Sequence, residues 1–319
     1  MQRILITGAN GFVGQILCKA LQQDGHHVIA LVGNTSKQPQ HADHYLRCDI
    51  RDAQALEKAV AQARPTHVVH LAAVTHVPTS FKDPILTWET NVMGSVNLLH
   101  ALKNQAPQAF VLFVSSSEVY GDTFKQGQAL SETSPCRPLN PYAASKLAAE
   151  AAFNESFRQG QPGLIVRPFN HIGAQQSPDF VTASFAHQIA LIEAEQQAPV
   201  LKVGNLLAER DFLDAQDVCT AYVKLLALSE RDLDYPRCMN ICSGYPRKIR
   251  SILDMLLEQG LRPIEIVEVP ERMRPSDIPR ALGDNSLIQQ TIGWTPEIDL
   301  RDTLKVILNY WRAQVAIAQ

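Results

Sequence analysis

Arg3-Ile4-Leu5-Ile6-Thr7-Gly8-Ala9-Asn10-Gly11-Phe12-Val13-Gly14 stands at the head of the chain. Its apolar first half, Arg3–Thr7, reads as a buried strand, and the periodic segment Val13–Gln23 behind it reads as a helix. Between them fall Gly8, Gly11 and Gly14. A strand, a glycine turn and a helix N-terminus together let backbone approach a pyrophosphate closely and place that anion at the positive end of a helix. The spacing G-x-x-G-x-x-G is one residue longer at the front than the general dinucleotide fingerprint. Glycines in an ordinary βα turn would only turn the chain. The flanking strand and helix favour a dinucleotide site.

The same rhythm continues outward. Strands are expected at His27–Val32, Val68–Ala72, Ala109–Ser115 and Leu164–Arg167, and helices at Ala53–Ala63, Thr87–Gln105 and Pro141–Phe157. Continuous apolar strands alternating with helices imply an α/β fold, a doubly wound parallel Rossmann sheet covered on both faces. Ligands of such sheets bind beyond the carboxyl ends of the strands, where Gly8, Ala73 and Ser116 fall. After Pro168 the segments become shorter and richer in proline. A dinucleotide-binding domain is therefore expected over residues 1–167 and a mainly substrate-binding lobe over 168–319, with the chain returning to the first domain near 212–244, through Phe212–Leu228 and Cys238–Gly244.

Composition narrows the function. In 319 residues, 45% are hydrophobic and the net charge is -3, which offers no electrostatic footprint for nucleic acid or an anionic membrane. No stretch is long and apolar enough to predict a transmembrane helix, and no signal-peptide pattern opens the chain, so a cytoplasmic location is expected. The six cysteines lack metal spacing, no metal site is expected, and Cys238 and Cys242 read as buried thiols.

Tyr142-Ala143-Ala144-Ser145-Lys146 carries the chemistry. Residues four apart share one helix face. A phenol with a pKa near ~10 is a poor acid-base group at neutral pH, and a nearby cation is expected to lower it. Upstream lies Ser115-Ser116-Ser117-Glu118-Val119-Tyr120-Gly121. The three stretches, in this order, resemble the extended short-chain dehydrogenase/reductase superfamily. The resemblance implies Ser116, Tyr142 and Lys146 as the catalytic set: Ser116 hydrogen-bonds the substrate oxygen, Tyr142 is the acid-base group and Lys146 also holds the cofactor ribose. It implies a cofactor site of Gly8, Asn10, Gly11, Phe12, Val13, Gly14, Asp49, Ile50, Leu71, Ala72, Ala73 and His171, together with Tyr142 and Lys146. Asp49 resembles the residue that binds the adenine amine, and Leu71-Ala72-Ala73 the small-residue strand end that lets the cofactor pass. Where NAD-selective sites carry an acid, the chain reads Val32-Gly33-Asn34-Thr35-Ser36-Lys37. NADP(H) is favoured, with NAD(H) possible.

Three later stretches, Arg167-Pro168-Phe169-Asn170-His171-Ile172-Gly173, Lys202 to Phe212, and Arg272-Met273-Arg274-Pro275, resemble the GDP-mannose branch of that superfamily, and within it the GDP-6-deoxy-D-mannose reductases. The resemblance implies GDP-4-dehydro-6-deoxy-D-mannose as substrate, contacted by Ser116, Ser117, Glu118, Asn170, Val181, Lys202, Arg210 and Arg274. Arg210 and Arg274 suit a diphosphate, since a guanidinium fork matches phosphate oxygens. Ala174-Gln175 departs from the Pro-Gly of the reductase pattern. Glu118 stands where sugar 4,6-dehydratases carry a base, which leaves a dehydratase or bifunctional enzyme open beside the reductase, and the ketone face that meets the nicotinamide, which sequence does not fix, leaves the C4 epimer, GDP-6-deoxy-D-talose, open as product. A dinucleotide sensor would commonly lack the Tyr or the Lys. The family's helices near Asn91–Ala101 and Tyr142–Phe157 imply a homodimer.

Overall fold

The computed structural model describes residues 1–33, 39–228, 237–273 and 278–317. The chain begins with β1 (Arg3–Thr7), α1 (Phe12–Gln23), β2 (His27–Val32), β3 (His44–Arg47), α2 (Ala53–Ala63) and β4 (His67–His70). Next come α3 (Val77–Lys82), α4 (Pro84–Trp88), a π-helical turn (Glu89–Met93), α5 (Gly94–Gln105), β5 (Phe110–Val114), a 3-10 segment (Ser117–Gln126), α6 (Pro141–Arg158) and β6 (Gly163–Pro168). The remainder is β7 (Asn170–Ile172), α7 (Val181–Glu193), β8 (Val200–Val203), β9 (Glu209–Asp214), α8 (Ala215–Leu225), β10 (Cys238–Ile241), β11 (Pro246–Lys248), α9 (Ile249–Leu257), β12 (Glu265–Glu268), β13 (Arg280–Ala281), α10 (Ser286–Ile292) and α11 (Leu300–Ile317).

Seven strands form one parallel sheet in the order β10-β6-β5-β4-β1-β2-β3. Alternate strand residues face opposite ways. Ile4, Ile6, Val28, Ala30, Leu112 and Val166 pack on α1 and α8, and Leu5, Ile29, Leu31, Val68, Val111 and Phe113 pack on α2, α5 and α6. Strand order reverses between β1 and β4, where Thr7 is in register with His70, and this opens the crevice at the carboxyl ends. The doubly wound fold expected from the glycine turn is the fold observed.

The second sheet centres on β9, which takes β11 antiparallel and β7 and β13 parallel, while β8 and β12 form a separate pair. A third apolar cluster joins α7, α9 and α11. α8 leaves β9 and packs against α1, with Val218, Ala221 and Tyr222 in the core of the first sheet, and β10 joins that sheet beside β6.

Three details differ from the sequence reading. β3 was not anticipated, because this edge strand is short and mostly exposed and carries no apolar run. β4 ends at His70 instead of Ala72, since the chain turns into the crevice once Leu71 N–H has bonded to Thr7 O (3.3 Å). The long helix expected at Thr87–Gln105 starts at Pro84 and contains a π turn.

The first turn is intolerant of side chains. A Cβ on Gly14 would lie 2.6 Å from Gly8 O and 2.7 Å from Ala9 O, whereas one on Gly33 would meet nothing within 4 Å. Gly14→Ala should therefore cost ~1–3 kcal/mol and lower the thermal midpoint by about 2–8 °C, with Gly33→Ala near wild type in the same calorimetric scan.

Candidate active site

The turn after β1 is held by Gly8, whose φ of 69° suits glycine and whose N–H donates to Leu31 O at 3.0 Å. A Cβ there would sit 2.9 Å from the Ala72 backbone, so turn and strand end form a close-packed cradle. Gly11, Val13 and Gly14 open α1, and the Phe12 ring stacks on His171, centroids 6.4 Å apart and planes within 7°. His171 Nδ1 donates to Phe169 O (2.9 Å). Asn10 offers its backbone oxygen to Gln15 (3.1 Å).

A cavity of about 230 Å³ lies against this turn, lined by Gly8, Gly33, Asp49, Ile50, Arg51 and Ala72 among others. Leu71 and Ala73 flank Ala72 and are half-buried. Arg51 was missed by the sequence reading. Its fork grips Asp49, with Nη2 to Oδ2 at 2.6 Å and Nε to Oδ1 at 3.0 Å, and holds that carboxyl below the usual carboxylate range. An Arg two residues after an Asp is too common a spacing to have shown this. Lys37 lies outside the described residues. A second crevice, of about 310 Å³ beside Arg262, includes none of the anticipated residues.

The reaction centre is built on α6. Asn140 caps the helix by accepting from Ala143 N (2.7 Å), and Pro141 fits its first turn. Tyr142 N donates to Ser80 Oγ (3.2 Å) and Ser145 Oγ donates to Tyr142 O (2.7 Å). Asn91, in the π turn, donates from Nδ2 to Ser145 Oγ (2.9 Å) and accepts Val74 N–H at Oδ1 (2.8 Å). Ser80, Asn91, Asn140 and Ser145 thus fix the tyrosine. None of these four was given this role from sequence; Asn140, a capping residue type directly before a proline, is the one whose local signal could have been read.

Ser116, Ser117, Tyr142 and Lys146 are all more than nine-tenths buried, and the Ser116 hydroxyl acts on the Tyr142 phenol. Glu118, half-buried, accepts from Asn140 Nδ2 (3.1 Å) and its N–H donates to Ser116 Oγ (3.2 Å). Burial pushes the Tyr142 phenol up to about 12; Ser116 opposes this and the charge of Glu118 adds to it. The expectation that Lys146 lowers the Tyr142 pKa does not hold here. Burial dominates both groups and takes Lys146 itself down to about 7 against the pull of Glu150. Lys146 Nζ lies over the Phe113 ring, 4.8 Å from its centroid.

The residues expected at the substrate are spread over the second lobe. Asn170 is exposed on β7, opposite Phe212 of β9, and Val181 starts α7. Arg210 on β9 donates from Nη1 to Glu209 O and Ile278 O, both at 2.8 Å. Lys202 is exposed on β8, in the separate two-stranded pair, and its backbone is held by Gln188. Arg274 lies outside the described residues. The neighbouring Arg272 bonds Ser184 Oγ of α7 (2.7 Å).

Residues 5–307 match the family described as GDP-mannose 4,6 dehydratase. The chain belongs to this family. It is 38% identical, over 98% of both chains, to the GDP-6-deoxy-D-mannose reductase of Pseudomonas aeruginosa, and 28% identical, over 91% of both, to a GDP-6-deoxy-D-talose 4-dehydrogenase of Aggregatibacter actinomycetemcomitans. The solved structure of RMD from P. aeruginosa complexed with NADPH superposes with a TM-score of 0.84 at 34% identity, covering 98% of this chain and 100% of that one. A Thermus thermophilus UDP-glucose 4-epimerase complexed with NAD superposes with a TM-score of 0.85 at 27% identity, covering 97% and 99%. As a family member, the chain is an oxidoreductase of the extended short-chain type, as its three motifs implied. No helix among the described residues is long and apolar enough to cross a membrane.

The depressed Lys146 has a stability consequence. Between pH 7 and the ordinary lysine range the unfolded chain binds this proton and the folded chain does not, so stability from this group rises with pH. Lys146→Met removes that dependence. Relative to the variant, wild type should gain on the order of 3 kcal/mol between pH 6 and pH 9 in urea unfolding, and the variant should be the more stable protein at pH 6.

Proposed function

We propose that this protein reduces the 4-keto group of GDP-4-dehydro-6-deoxy-D-mannose to give GDP-D-rhamnose, with NADPH as the favoured cofactor and NADH tolerated. The observation that carries the reading is the buried group of Ser116, Tyr142 and Lys146, with Lys146 one turn along the helix of Tyr142, in a chain 38% identical to a GDP-6-deoxy-D-mannose reductase. The glycine cradle that a Cβ would fill fits a dinucleotide pyrophosphate. Gly8 to Gly14 would hold that pyrophosphate, Asp49 the adenine, and Lys146 the ribose. The bound cofactor supplies hydride to the C4 carbon. Ser116 orients the C4 oxygen by a hydrogen bond, and the protonated Tyr142 delivers its proton to that oxygen. Arg210 and Arg274 are assigned to the diphosphate, with Asn170, Val181 and Lys202 also on the substrate side. The domain division is proposed as residues 1–167 for the cofactor and mainly 168–319 for the sugar nucleotide.

The test supplies the ketosugar with NADPH or NADH, follows 340 nm absorbance, and assigns the product by NMR. Tyr142→Phe should lose at least ~100-fold in kcat and keep NADPH binding. Near-normal turnover in that variant would remove the acid-base assignment. A product with the talo configuration would move the chain to the activity that the Aggregatibacter relative's name carries.

Glu118, bonded to Asn140 beside Ser116, favours testing a second reading, dehydration. Under the reductase reading, GDP-mannose with NADP⁺ gives no ketosugar, and Glu118→Gln retains most reduction, losing what one altered hydrogen bond costs, ~0.5–1.5 kcal/mol. Ketosugar formed by wild type and abolished in Glu118→Gln would establish a dehydratase.

A homodimer is also proposed. Phe81, Ile85, Trp88, Met93 and Val96 are exposed along α3, α4, the π turn and α5, a stripe apolar enough to mark an interface. Trp88→Glu should convert the sedimenting species from dimer to monomer while leaving the circular dichroism spectrum unchanged.

A further inference from the structure

Behind the reaction centre lies a buried ion pair that the mechanism above does not use. Arg167 on β6 forks onto Glu150 on α6, with Nη2 to Oε2 at 2.7 Å and Nε to Oε1 at 2.9 Å, and both side chains are at least nine-tenths buried. Ser115 Oγ donates to the same Glu150 Oε1 at 2.5 Å. The guanidinium is held on its far side. Its Nη1 donates to Tyr120 Oη (3.1 Å), it stacks 4.9 Å from the Tyr120 ring centroid, and Tyr120 Oη donates to Asn240 Oδ1 of β10 (2.7 Å).

Ion pairs this deep seldom add net stability over apolar side chains of the same volume, so stability alone does not account for the arrangement. Its location does. Ser115 immediately precedes Ser116, and Glu150 is one helical turn after Lys146. We propose that Glu150 is a positioning residue for the centre of Ser116, Tyr142 and Lys146: anchored by Arg167, it fixes the end of β5 through the Ser115 hydroxyl and presents its carboxylate to Lys146. This rests on the reductase reading above.

The electrostatic part follows from the groups around the pair. His70 of β4 faces Lys146 and is pushed down to about 3 by burial, so it is neutral. Cys136 and Cys238, which face Glu150, are pushed up by burial and are also neutral, as is Tyr120. Tyr142, on the same helix, keeps its proton at neutral pH. Among the described residues, Glu150 is the one anion acting on Lys146, and it favours the ammonium.

Steady-state kinetics across pH on wild type, Ser115→Ala, Ser115→Thr and Glu150→Gln tests this, with folding checked by thermal melts. Ser115→Ala, which leaves the ion pair intact, should lose about 10-fold in kcat with the NADPH KM unchanged, and Ser115→Thr should restore it. Removing the carboxylate lowers the affinity of Lys146 for its proton, so the alkaline limb of kcat in Glu150→Gln should move about one pH unit lower. Folded variants with wild-type kcat and an unmoved limb would overturn the proposal. If Glu150→Gln does not fold, the Ser115 pair decides. If wild type does not reduce the ketosugar, the reductase reading fails separately. NADPH titration by protein fluorescence then still reads the proposal, because the pH at which affinity falls should be lower in Glu150→Gln, and an unmoved midpoint would overturn it.

Discussion

A lysine ammonium almost wholly removed from water is the constraint around which this site is arranged. Lys146 is 3% exposed, and an isolated charge there would be prohibitive. The Phe113 ring lies under it and Glu150 stands one turn away. The nearby His70 is kept neutral with both nitrogens satisfied. Ser95 Oγ donates its proton to Asn91 O (2.6 Å), so it must accept from His70 Nε2 (3.0 Å). That leaves Nδ1 as an acceptor for the Thr7 hydroxyl (2.7 Å), which in turn accepts Ala72 N–H (3.1 Å). The donor count fixes the tautomer. It also ties the glycine turn, the small-residue strand end and the π turn into one polar chain leading to the helix of Tyr142.

The second lobe is fastened to the same frame through β9. Asp211, fully buried, accepts Ser243 N and Oγ at 2.7 Å and Gly244 N at 2.9 Å, which binds the lobe to the segment after β10. Asp214 caps α8 through Gln216 N (2.6 Å) and takes Thr303 Oγ1 of α11 (2.7 Å). One strand thus carries Arg210 and launches α8, the helix that packs against α1 behind the glycine turn. The covalent path from β9 to α8 is short, and carboxylates satisfied by several donors make it stiff.

How legible all this was depends on the kind of signal. The sheet could be read because each of its inner strands is a continuous apolar run, and the glycine turn because a missing Cβ is a local requirement. Tyr142 and Lys146 were visible because helical spacing alone puts them on one face. The groups that hold them were not visible. Ser80, Asn91 and Ser145 are small polar residues whose roles depend on contacts between distant parts of the chain, Ser80 with Tyr142 across 62 positions and Asn91 with Ser145 across 54. The sign of the Tyr142 shift was missed for a related reason. Spacing shows that a cation is near, but only the packed structure shows how little water reaches either group.

That sign bears on the resting protonation state of the centre. A phenol held near 12 is protonated throughout the neutral range, so the folded protein presents an acid rather than a base at this position. Delivering a proton to a carbonyl oxygen as hydride arrives needs that form, whereas abstracting a proton from an alcohol needs the phenolate. Glu118 strengthens the bias, since its negative charge disfavours a second anion on Tyr142, and Asn140 keeps its carboxylate in place. Ser116 works against the bias, and burial outweighs it. Burial and the Glu118 charge raise the phenol and Ser116 lowers it, and the balance of the three leaves Tyr142 protonated at rest.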